Sequence, residues 1–186
     1  MPAINTAIDV FMTYKFLRIL TRKWEDMDAY KLGIIDDEGN ILKKRKDLST
    51  SEERNAYTLF DRLVWKLKRL LGRLPGGKST IASYAAALWL VKEQASRMHM
   101  ANPDVLEEAF VEFVRKQYNT DLVSETPVPN NTKPPMAGTY NILGENIRFI
   151  GDDTPVVGRC LGIDLYEVYI DNKREIIPHE DIIYNN

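Results

Sequence analysis

The chain has 186 residues, 44% hydrophobic and 28% charged, the balance of a soluble globular protein with room for one or two domains and a substantial core. Its one cysteine, Cys160, excludes an internal disulfide and with it a secreted disulfide scaffold. The net charge of −2 is unevenly spread: residues 1–100 carry 18 Lys and Arg against 12 Asp and Glu, and residues 101–186 carry 7 against 15. Such a dipolar chain can pack its halves on each other, join copies head to tail, or present a basic face to an anion.

Met1 to Val10 has no basic segment ahead of an apolar one, and the longest apolar run, Tyr84 to Val91, falls far short of the roughly 20 residues that span a bilayer. The expected setting is a cytosol, or an assembly built in one, with no membrane partner.

Thr6 and Asp9 open a first helix to about Leu20, with Ile8, Phe11, Met12, Phe16, Ile19 and Leu20 on a wide apolar face. Tyr30 to Ile35, the turn Asp36-Asp37-Glu38-Gly39-Asn40, and Ile41 to Lys43 predict a short hairpin near 30–43. Ser49 with Glu52 and Thr50 with Glu53 are overlapping capping boxes that start a long second helix, ending at Gly72 in a left-handed cap. The third helix, Thr80 to about Met98, is apolar nearly all round until Lys92 and should be central. Asn102-Pro103 opens a fourth, with Leu106, Ala109, Phe110, Phe113, Val114 and Tyr118 along one side.

Residues 124–139 hold Pro127, Pro129, Pro134 and Pro135 with Asn130-Asn131 and no apolar period, which predicts a semi-extended linker. Beyond it, short strand-like runs at Ile147–Ile150, Val156-Val157, Leu165–Ile170, Glu175–Ile177 and Ile182–Tyr184 are split by Gly151-Asp152-Asp153, Gly162 and Asp171-Asn172-Lys173. The expected class is α+β: a four-helix domain over 1–123 with a hairpin insertion, the linker 124–139, and a small antiparallel barrel or meander over 140–186. A unit of that size without staples is near the limit of independent stability and should lean on its own helical domain or on another subunit.

Gly72-Arg73-Leu74-Pro75-Gly76-Gly77-Lys78-Ser79 matches the phosphate-loop pattern letter for letter. A phosphate loop needs a buried strand ahead of its glycines, whereas Phe60, Leu63, Val64, Leu67, Leu70 and Leu71 follow a helical period. Gly72, Gly77, Lys78 and Ser79 therefore read as a connection between helices, with Ser79 or Thr80 as the next cap. His99 and His179 are the only histidines, and no H-x-x-x-H or C-x-x-C spacing occurs, so neither a metal nor a cofactor nor a catalytic set is expected.

Arg62, Lys66, Arg69 and Arg73, at i, i+4, i+7 and i+11, form a basic stripe, with Lys43-Lys44-Arg45-Lys46 upstream. These eight cations are candidates for contact with DNA or another anion, or with an acidic protein surface. Tyr166, Tyr169 and Tyr184 are candidates for a docking surface, although strand packing explains them as readily.

From Phe11-Met12-Thr13-Tyr14-Lys15-Phe16-Leu17, through Lys31 to Asn40 and Leu59 to Leu70, to Ala85-Ala86-Ala87-Leu88, the chain resembles a poorly characterised family of virion-associated or structural proteins of tailed bacteriophages. The resemblance covers about residues 11–93 and carries no catalytic signature. It implies a non-enzymatic virion component, assembled in the host cytoplasm, in multiple copies and in contact with other virion proteins. The alternative is a nucleic-acid-associated phage accessory protein using the basic stripe.

Overall fold

The computed structural model describes residues 6–72, 81–119, 138–142, 145–149, 156–178 and 183–184. It is a mixed helix and sheet protein, with its helices ahead of its antiparallel strands. Helix α1 (Ala7–Thr21) starts where expected, with the Thr6 side chain accepting from the Asp9 N–H at 3.0 Å. Its buried face is narrower than the sequence pattern suggests. Met12, Phe16 and Leu20 enter the core, but Ile8 and Phe11 stand in solvent. The reason is Asp9, fully buried, whose carboxylate accepts the Ala101 N–H at 2.8 Å and the Asn102 N–H at 3.4 Å. That pair of bonds fixes the rotation of α1 against the start of the last helix.

The hairpin near 30–43 reduces to one antiparallel bridge, Ile35 to Ile41, behind a short α2 (Asp28–Lys31) that takes in Tyr30 and Lys31. The Asp36 carboxylate accepts from the Glu38 N–H, the Asn40 N–H and the Asn40 amide, so a side chain closes the turn beside the few backbone bonds between its arms, from the Asp36 N–H to the Asn40 carbonyl and from the Leu42 N–H to the Ile34 carbonyl. The long second helix is two: α3 (Ser51–Asn55) and α4 (Leu59–Leu71). Thr58 accepts from the Asp61 N–H while the Asp61 carboxylate accepts from the Thr58 N–H, a capping box that starts a new helix and ends the old one. Tyr57 then turns in against Trp65, ring centroids 6.1 Å apart. Gly72 does end α4, but in right-handed backbone (φ −64°) and not the left-handed cap expected.

Helix α5 (Ile81–Arg97) lies between α4 and α6 (Asp104–Tyr118) on one side and the strands on the other. It ends on His99 in left-handed backbone, with the buried Met100 N–H bonded to the Ala95 carbonyl. Among the strands, β3 (Val156–Cys160), β4 (Ile163–Ile170) and β5 (Lys173–Pro178) form a meander. Its turns are Leu161-Gly162 and Asp171-Asn172, all four at positive φ, the two-residue turn that matches strand twist. A second antiparallel sheet runs β2 (Glu145–Phe149), β1 (Gly138–Ile142), β6 (Ile183–Tyr184). Strand β1 begins inside the stretch read as linker; 124–137 lie outside the described residues.

The meander rests on its own helices. Cys160, Leu161, Ile163, Leu165 and Ile176 belong to the same buried cluster as Phe16, Phe60, Leu88, Val91 and Phe110. Gly158 allows this closeness, since a Cβ there would lie 2.0 Å from Trp89 Nε1 on α5.

Candidate interaction surface

The rotation that Asp9 imposes on α1 leaves large apolar side chains outside: Val10, Phe11 and Tyr14 are 55%, 60% and 61% exposed, and Ile8 42%. Ala7, Phe11, Tyr14 and Arg18, at i, i+4, i+7 and i+11, form one stripe along the outer face. Leaving a side chain such as Phe11 in water forgoes about 1.5–3 kcal/mol of burial, so a contiguous set of this kind makes the face a candidate contact surface. The C-terminal half of the face is cationic. Arg18 and Arg22 make no ion pair among the described residues, and with Lys15 they border a cleft of about 270 Å³ floored by Ile19, Met27 and Trp65. Lys15 is already bound to Asp61 at 2.9 Å.

A larger open groove, about 1030 Å³, runs beside α6 with Val105, Ala109, Val111 and Gly162 in its walls. Asp104, Glu108 and Glu112, one turn apart along α6, edge it. Glu108 has no ion pair among the described residues, whereas Asp104 meets Lys92 at 2.8 Å and Glu112 meets Lys116 at 2.9 Å. The hydroxyl of Thr13, also in the wall, is buried and makes no hydrogen bond among the described residues.

Under this groove a polar cluster joins α5, α6 and the β3–β4 turn. Glu107 accepts from Lys92 Nζ at 2.5 Å and from the Leu161 N–H at 2.7 Å, with Cys160 Sγ at 3.5 Å. Burial works against the Lys92 ammonium, but Asp104 and Glu107 more than offset it, and its pKa is raised. Burial, with the Glu107 carboxylate beside it, holds the Cys160 thiol well above its usual range. A thiol so placed is an inert structural group, not a nucleophile.

The expected basic stripe is partly consumed in holding the fold. Lys43 donates to Glu53 at 2.9 Å and to the Leu32 carbonyl at 3.0 Å. Arg69 donates to the Gly39 carbonyl at 2.7 Å, and Arg62 stacks over Tyr57 with its buried Nε unbonded among the described residues. Lys66 and the turn carrying Lys44, Arg45 and Lys46 remain exposed; Arg73 lies outside the described residues. A cation the stripe omitted, Lys68, is half-buried against Trp24 and donates to the Leu20 and Arg22 carbonyls, closing the end of α1. Desolvation lowers its pKa.

No family model, curated protein or solved structure matches this chain.

Of the three candidate tyrosines, Tyr166 is fully buried and offers no docking surface, Tyr169 is 62% exposed, and the Tyr184 side chain lies outside the described residues. Tyr166 and Tyr169 are three apart, and a strand's period of two sends them to opposite faces, a signal present in the sequence. Of the phosphate-loop match, Gly77, Lys78 and Ser79 lie outside the described residues; α4 precedes it and α5 follows. Among the described residues no helix is long and apolar enough to cross a membrane, and no three His, Cys, Asp or Glu residues are grouped to hold a metal ion. Sequence reasoning missed the outer face of α1, because Ile8 and Phe11 fit a core pattern and only the contact between Asp9 and residues 101–102 reveals which side turns inward.

Proposed function

We propose that this chain is a non-enzymatic structural or assembly component of a tailed-phage particle, at its head, neck or interior, and that it acts through protein–protein contacts. The outer face of α1 carries the reading: four large apolar side chains in solvent beside two arginines that make no ion pair among the described residues. The resemblance to virion-associated proteins includes Phe11 to Leu17, the same stretch. The place of action is the virion, reached from the host cytoplasm.

The test is quantitative mass spectrometry of purified particles from cells expressing the original chain or Phe11→Asp/Tyr14→Asp. The original chain should co-purify at fixed stoichiometry, and the variant should stay outside the particle with unchanged helical circular dichroism. Absence of the original chain from particles, or equal incorporation of the variant, would overturn the proposal.

A second reading, association with nucleic acid, is favoured by exposed Lys44, Arg45, Lys46 and Lys66, which make no ion pair among the described residues. It requires duplex binding that weakens steeply with salt and is lost in Lys44→Glu/Lys66→Glu.

A further inference from the structure

We propose that copies of this chain associate head to tail, the outer face of α1 on one copy seating in the groove beside α6 on the next. The proposal rests on the reading of the α1 face as a protein contact and names the partner as a second copy.

The two surfaces differ in kind and complement each other. The α1 face presents Phe11 and Tyr14, then Arg18 and Arg22, which make no ion pair among the described residues and, with Asp28 as the one unpaired carboxylate in the same cleft, leave it net positive. The groove offers apolar walls, and at about 1030 Å³ it has the volume of a site that encloses aromatic side chains. Its rim carries Asp104, Glu108 and Glu112; the first and last keep exposed carboxylates (69% and 50%) despite their pairs, and Glu108 has no pair. The cations near the groove are each engaged already, Lys92 with Asp104 and Glu107, Arg115 and Lys116 with Glu112, and Arg159 with Asp164, so the excess negative charge of the rim rests on Glu108. The charge left over is thus positive on the α1 face and negative on the α6 rim.

An α1-to-α1 pairing is disfavoured, because the only carboxylate on that helix, Asp9, is buried. Two different patches on one chain make a heterologous contact, which propagates to a ring or an open filament and not a closed dimer. The basic first part and acidic second part of the sequence are the coarse signature of the same arrangement.

The test is sedimentation velocity with native mass spectrometry on the full chain over a range of concentrations, at low and high salt. The original chain should form species larger than a dimer, with high salt weakening them. Arg18→Glu/Arg22→Glu and Glu108→Lys/Glu112→Lys, each confirmed as folded by circular dichroism, should be monomeric alone. Their equimolar mixture should associate again, because each reversed surface then meets an opposite charge. An original chain that stays monomeric, variants that associate as it does, or a mixture that fails to recover would each overturn the proposal. A monomeric chain that still enters particles through Phe11 and Tyr14 would sink the self-association alone and leave the proposed function standing.

Discussion

Gly158→Ala tests whether the β3–β5 meander is held on α5 by one close approach. The new methyl carbon would lie 2.0, 2.8 and 3.0 Å from three indole atoms of Trp89, against an ordinary separation of about 3.5–4.0 Å. The indole has little freedom to retreat. On β5 the Arg174 guanidinium lies over its ring at 5.6 Å and is itself held by Glu93 at 2.8 Å and Glu167 at 2.6 Å. Overpacking costs about 1–3 kcal/mol, and an overlap this deep against a pinned ring belongs at the upper end, about 3 kcal/mol. In a chain of this length that corresponds to a drop in Tm of about 6–12 °C. With the ring removed by Trp89→Ala, Gly158→Ala should become neutral or stabilising by about 0.5 kcal/mol, since alanine loses less backbone freedom than glycine. Urea unfolding followed by far-ultraviolet circular dichroism on the four members of the cycle should give a coupling of about 3 kcal/mol. Equal cost in both backgrounds, or a cost below about 1 kcal/mol in the original chain, would refute the close approach as the constraint.

Glu107→Ala should destabilise by about 2 kcal/mol or more in the same urea assay, more than Asp104→Ala, because it strips the Leu161 N–H of its partner and leaves the buried Lys92 with one carboxylate. Cys160 should resist alkylation in the native protein at pH 8 and react promptly in denaturant; rapid native labelling, read by intact mass, would contradict its burial. Glu53 titrates at about 2 in place of 4.5, held down by Lys43 first and then by the Thr50 and Ser49 amides, so its stabilisation is complete above about pH 4.5 and fades as pH falls toward 2. Glu53→Gln should accordingly lower stability at pH 7 and flatten the acid limb of a stability profile over that window; an unchanged acid limb would count against the assignment. Lys78→Ala should leave folding and assembly intact, with no saturable ATP binding in either protein by equilibrium dialysis.

Local chemistry was legible in the residues themselves. Thr6 with Asp9 and Thr50 with Glu53 mark helix starts because a short side-chain oxygen next to unpaired amides needs no distant partner, and the alternating runs after Ile163 mark strands for the same local reason. Thr58-x-x-Asp61 carried an equally local signal, overlooked because the apolar period on either side of it runs on unbroken. What the residues alone left undecided were choices among faces. Phe11 and Phe16 are equally apolar, and only the bonds from Asp9 to residues 101 and 102, more than 90 positions away, turn one inward and the other outward. Arg62, Lys66 and Arg69 look alike on a helix wheel, yet a tyrosine ring and the Gly39 carbonyl take two of them and leave the third exposed. Hydrophobic periodicity says that a helix has an inside; which side that is depends on contacts between distant segments, and those exist only once the chain has folded.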